Sequence, residues 1–99
     1  MADFTCTIKI EKFPPVVSVG TSIRITAEAV DANKPVRSVI FCVDKYNMRN
    51  ALKKGEDGKF RLDFPIPTGT AGGLYDVSFW AVSEEGERST PLKLKVTLK

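Results

Sequence analysis

The chain has 99 residues, 42% of them apolar and 27% charged, with a net charge of +3, the balance of one ordinary globular domain with a small core. No apolar run is long enough to cross a membrane as a helix, and the basic residues are interspersed with acids instead of forming the aromatic-laced stripe that a nucleic-acid partner requires. The opening "MADFTCTIKIEKF" lacks a basic region followed by an apolar core, so it does not read as a signal peptide.

Residues 4–10 place Phe4, Cys6, Ile8 and Ile10 on one side and Thr5, Thr7 and Lys9 on the other, the period of a half-buried strand. The prolines of "FPPVVSVGTS" break it, because proline cannot donate to a ladder. Residues 22–31 alternate Ile23, Ile25, Ala27 and Ala29 against Arg24, Thr26 and Glu28, and "DANKP" follows as a loop. Residues 36–44, "VRSVIFCVD", form a strand rich in β-branched residues. Residues 45–54 fit either a short edge strand near Met48 to Leu52 or a turn of helix. "GEDG" is a hairpin-type turn. Residues 59–66 then point Phe60, Leu62, Phe64 and Ile66 inward. After "PTGTAGG", residues 74–83 give Tyr75, Val77, Phe79 and Ala81 to the core and Asp76, Ser78, Trp80 and Val82 to the opposite side. "EEGER" turns the chain into 91–98, with Leu92, Leu94, Val96 and Leu98 inward. About seven short strands and no sustained helical period predict one all-β domain over 1–99, an antiparallel sandwich with a small closed barrel as the alternative. The two cysteines, Cys6 and Cys42, have opposite phases, one toward the core and one outward, which argues for free thiols.

The pattern "PVRSVIFCVD … DGKFRLDFPIPTGTAGGLYDVSFWAVSEEGERST … LKLKVTL" resembles immunoglobulin-like and fibronectin type III-like modules of bacterial and archaeal cell-surface and secreted proteins. Val39, Phe41, Val43 and Asp44, then Gly73, Tyr75, Val77 and Ala81, carry the resemblance, which covers most of the chain from about residue 22. It implies an immunoglobulin-like β-sandwich in an extracellular or cell-surface parent. The implied role is a spacer or protein-interaction module whose partners are neighbouring domains or another protein. Tyr75 stands where such folds place a tyrosine whose hydroxyl bonds nearby backbone and pins the connection between sheets. Departures from antibody domains are clear: no cysteine pair bridges the sheets, Ile25 and Val77 standing near those places, and Phe41 replaces the core tryptophan.

Enzyme chemistry finds little support. Without histidine the usual Ser/His and Cys/His arrangements are absent. Asp63 and Asp76 point outward on different sheets, unlike paired glycosidase carboxylates. "GTAGG" lacks the lysine and helix of a phosphate loop. No cofactor is expected. Calcium is the metal to consider, because one pole of the sandwich gathers Asp31, Asn33, Glu56, Asp57, Glu84, Glu85 and Glu87, with Asp3 near. Lys34, Arg37, Lys53, Lys54 and Arg88 share that pole, and the tight spacing of calcium loops is missing.

The two outer faces differ. The first sheet shows Thr5, Thr7, Lys9, Arg24, Thr26, Glu28, Arg61 and Asp63. The second shows Ser38, Ile40 and Cys42, then Asp76, Ser78, Trp80 and Val82, then Lys93, Lys95 and Thr97. Trp80 with Ile40, Cys42 and Val82 thus predicts a modest apolar patch rimmed by Lys93 and Lys95. Either a lysine and the 45–54 segment cover the indole, or the patch binds a partner. A glycan is the alternative ligand for that face. An outward indole is also expected to be dispensable for folding.

Overall fold

The computed structural model describes residues 4–11 and 13–99. Eight strands are present: β1 (Thr7–Ile10), β2 (Val16–Val17), β3 (Ser22–Val30), β4 (Val36–Val43), β5 (Met48–Lys54), β6 (Phe60–Pro65), β7 (Gly73–Ser83) and β8 (Leu92–Leu98). The first sheet runs β1-β3-β6 and the second β4-β7-β8-β2; β5 joins them, pairing with β4 over most of its length and with β6 through Lys53 and Lys54. The helical reading of 45–54 reduces to a single 3-10 turn at Asp44–Tyr46 that ends on Asn47 in the left-handed region.

Two features depart from a seven-strand, wholly antiparallel sandwich. β5 is a full strand. Val16 and Val17, inside the proline-broken segment, form a short strand parallel to β8. Its ladder is made by Thr97 N–H donating to Pro15 O at 2.8 Å and Lys99 N–H donating to Val17 O at 2.9 Å. The prolines stop the chain from continuing β1, and it crosses to the other sheet.

Register brings the inward residues into opposition. Ile23, Ile25 and Ala27 of β3 face Phe64, Leu62 and Phe60 of β6. Val39, Phe41 and Val43 of β4 face Ala81, Phe79 and Val77 of β7, which in turn face Leu92 and Leu94 of β8 across Phe79 and Val77. A one-residue slip would turn every one of these side chains to water. Phe41 is the centre, with ring centroids 5.1 Å from Phe79 and 5.3 Å from Phe64, while Phe13 closes edge-on to Phe79 at 5.8 Å. Such tilted and edge-on pairs add to the burial of each ring. The "GEDG" turn closes with Gly58 N–H on Gly55 O at 3.0 Å and Gly58 at φ 83, a conformation that favours glycine.

Tyr75 is buried, and its hydroxyl donates to the Ala71 carbonyl four residues earlier. The Tyr46 hydroxyl lies 3.3 Å from it. The tyrosine thereby ties the loop entering β7 to the strand and to the 3-10 turn after β4. Tyr75→Phe keeps the ring and leaves the Ala71 carbonyl without this donor. It is expected to lower the thermal midpoint by about 4–8 °C, read by circular dichroism; an unchanged midpoint would show that the hydroxyl pins nothing.

Candidate functional site

The outer face of the second sheet is built by the same register that builds the core. Pairing sets Ile40 beside Trp80, Cys42 beside Ser78 and Ser38 beside Val82. On the other flank, Cys42 lies opposite Arg49 and Ile40 opposite Ala51. Cys42, Trp80 and Val82 form a small buried cluster against which Ile40 packs, separate from the main core. Trp80 is only 7% exposed.

Two arginines close the indole. The Arg49 guanidinium lies 5.7 Å from the ring centroid and that of Arg88 5.4 Å, within cation–π range. Arg88 reaches the ring because β8 has not begun where β7 ends. The turn after β7 closes with Gly86 N–H on Ser83 O at 3.0 Å, and Ser83 N–H donates to Glu87 O at 2.9 Å. Val82 then bridges Arg88. Buried Ser89 locks this return: its Oγ accepts from Ala81 N–H at 2.8 Å and its own N–H donates to Ala81 O at 2.9 Å.

Of the two readings of this face, the covered indole is the one the structure has. Ile40, Cys42, Trp80 and Val82 do share the outer face, but the indole is covered, and by arginines instead of lysines. Lys93 and Lys95 stand opposite Ser78 and Asp76, nearer the start of β7 than the ring. Arg88 was legible only as part of the acidic turn, and Arg49 lay in the segment whose structure the sequence left open. Beside the cluster, Ser78 Oγ donates to the Asp44 carboxylate at 3.0 Å. Burial pushes the Cys42 thiol above the ordinary range, Asp44 adds to that, and Arg49 pulls the other way. Cys42 and Cys6 are both free, the arrangement that their opposed phases favoured.

No protein-family model matches the chain, and no curated protein matches it. Solved structures do. The fibronectin(III)-like modules of CbhA from Clostridium thermocellum align with TM-score 0.69 at 20% identity, over 94% of this chain and 97% of that one. The SrpA adhesin from Streptococcus sanguinis aligns with TM-score 0.67 at 14% identity, over 100% of this chain and 60% of that one. The fold is that of a fibronectin type III-like module.

Within this fibronectin type III-like fold the described carboxylates of the acidic pole stay apart. Loops meet there as expected, Glu84 N–H donating to Pro35 O at 3.2 Å and Lys34 pairing with Glu87 at 2.5 Å. Yet among the described residues no three of His, Cys, Asp and Glu converge, so Asp31, Asp57, Glu84 and Glu85 do not form one cage; Asp3 lies outside the described residues. Asp57 is committed elsewhere: its carboxylate is bidentate to Arg61 at 2.6 and 3.0 Å. The Arg61 guanidinium, aided by the Lys59 N–H, holds that carboxyl well below the usual carboxylate range. An apolar cleft of about 120 Å³ opens between the sheets beside Met48, Phe64 and Tyr75. Its walls are core side chains together with exposed Tyr46 and Met48, and its polar groups include the paired Tyr46 and Tyr75 hydroxyls.

Proposed function

We propose that this domain is a non-catalytic structural and protein-interaction module of a larger surface or secreted protein, making its contacts through the outer face of the second sheet. The observation that carries the reading is the Arg49–Trp80–Arg88 stack. It is a preformed aromatic and cationic centre, the composition of protein contact sites, on a domain with no constellation suited to catalysis among its described residues. The fibronectin type III-like fold supports the modular role, and the surface and secreted character of the parent is inferred from that likeness. No helix among the described residues is long and apolar enough to cross a membrane.

The competing reading is a ligand-binding accessory module for glycan or calcium. A sugar platform needs an open aromatic face, and the indole here is closed. Titration with a broad glycan panel, read by Trp80 fluorescence, is expected to be flat, and calcium-loaded and chelated forms are expected to melt alike. A saturable fluorescence change with a glycan, or a calcium-dependent rise in midpoint, overturns the structural reading.

A further inference from the structure

We propose that the outer face of the second sheet, centred on the Arg49–Trp80–Arg88 stack, docks an acidic protein segment, whose carboxylates the two guanidiniums receive. The inference rests on the interaction reading above and specifies the partner's chemistry.

Charge is distributed unequally between the two faces. On the first sheet three cations are matched, Lys9 lying opposite Glu28 in register, Arg24 pairing with Asp63 at 3.2 Å and Arg61 with Asp57 at 2.6 Å, while Lys53 beside Arg61 makes no ion pair among the described residues. On the second sheet they are not. Arg49, Arg88 and Lys93 are exposed and make no ion pair among the described residues. Only Lys95 has an acid opposite it, Asp76. Asp44, which accepts from Ser78 beside the cluster, is the other acid near these cations.

The two guanidiniums are also restrained. An arginine resting on an indole has surrendered part of its rotamer freedom before any partner arrives, so less is lost when its N–H groups engage a carboxylate. A guanidinium accepts a carboxylate in a planar two-bond fork, which an ammonium cannot do. The closed ring decides between polyanions. Bases of a nucleic acid and the faces of sugars bind by stacking on exposed aromatics, and Trp80 offers no free face. What remains accessible is the pair of arginines over a closed apolar cluster, with Lys93 exposed on the same sheet, which fits an extended or loop segment bearing spaced carboxylates.

The test uses the intact domain and two fluorescein-labelled dodecapeptides, one alternating glutamate with serine and the other alternating glutamine with serine. The glutamate peptide is expected to bind at low salt, to weaken as salt rises, and to change Trp80 emission; the glutamine peptide is expected not to bind. Arg49→Gln and Arg88→Gln should each weaken binding about tenfold, with Arg49→Lys and Arg88→Lys recovering only part of it. Lys9→Gln and Arg24→Gln on the first sheet should leave affinity unchanged. Amide shift perturbations in the unaltered domain, which need no variant to fold, should be largest on β4, β5 and β7. Absence of binding by the glutamate peptide overturns the proposal, as does equal loss from the first-sheet variants. So does preference for a heparin oligosaccharide or a DNA oligomer over the peptide. A flat peptide titration together with a flat glycan and calcium series would remove this inference and leave the module reading standing.

Discussion

Phe79→Ala is expected to lower the unfolding free energy by about 3–5 kcal/mol. Phe79 is 0% exposed and sits in the middle of β7, facing Phe41 on one flank and Leu92 on the other. Its ring touches Phe13 edge-on and stacks obliquely on Phe41. Removing it deletes the shared partner of two aromatic pairs and leaves a void walled by two sheets joined through β5, which restricts collapse into the space. For a small domain such a loss is a large part of the total stability. The check is equilibrium denaturation in urea, comparing midpoints at similar slope. Leu74→Ala, on the same strand but 64% exposed, is the control and is expected to change the midpoint little. A cost for Phe79→Ala below about 1 kcal/mol would show that the two sheets do not share this centre.

Trp80→Ala is expected to cost about 2–3 kcal/mol, somewhat less than a tryptophan in a closed core. The difference reflects its cover: the stems of Arg49 and Arg88 are flexible and can settle onto Ile40 and Val82 once the ring is gone. This reverses the expectation that an outward indole is dispensable for folding. Phase gives the direction of a side chain, and it does not say what lies above it. Thermal melting of the variant supplies the magnitude. Emission from Trp80 in the Arg49→Gln, Arg88→Gln double variant should shift to the red as water reaches the ring. A midpoint for Trp80→Ala equal to that of the unaltered domain would mean that the outer cluster adds nothing to stability.

The strands that alternate strictly were legible because one face of each is buried and the period is two. Ile23, Ile25 and Ala27 against Arg24 and Thr26 leave no other register. β5 was not legible for a physical reason: its inward set is Met48, Asn50 and Leu52, its outward set Arg49, Ala51 and Lys53, and neither is uniformly apolar or polar. β2 was hidden by its length of two residues and by the prolines before it. Tyr75 was legible from its position at the start of β7, two residues before Val77. Cover on Trp80 from the 45–54 segment was legible, but its two arginines were not, because Arg49 belongs to the ambiguous strand and Arg88 acts through a bridge that exists only where β8 is absent. Charge matching on the first face likewise depends on cross-strand register, since Arg24 and Asp63 are far apart in the chain and 3.2 Å apart in space.

The short parallel pairing of β2 with β8 has a mechanical consequence. Strands that run the same way and are pulled from opposite ends of the chain slide along each other, so their ladder is loaded in shear and its hydrogen bonds must yield together. The bonds from Thr97 to Pro15, from Lys99 to Val17 and from Val19 to Lys99 form such a set, placed between the first and last strands of the second sheet's edge. In a domain strung in series with others, tension that had passed β1 would meet this set, which would resist it as a clasp until all three released.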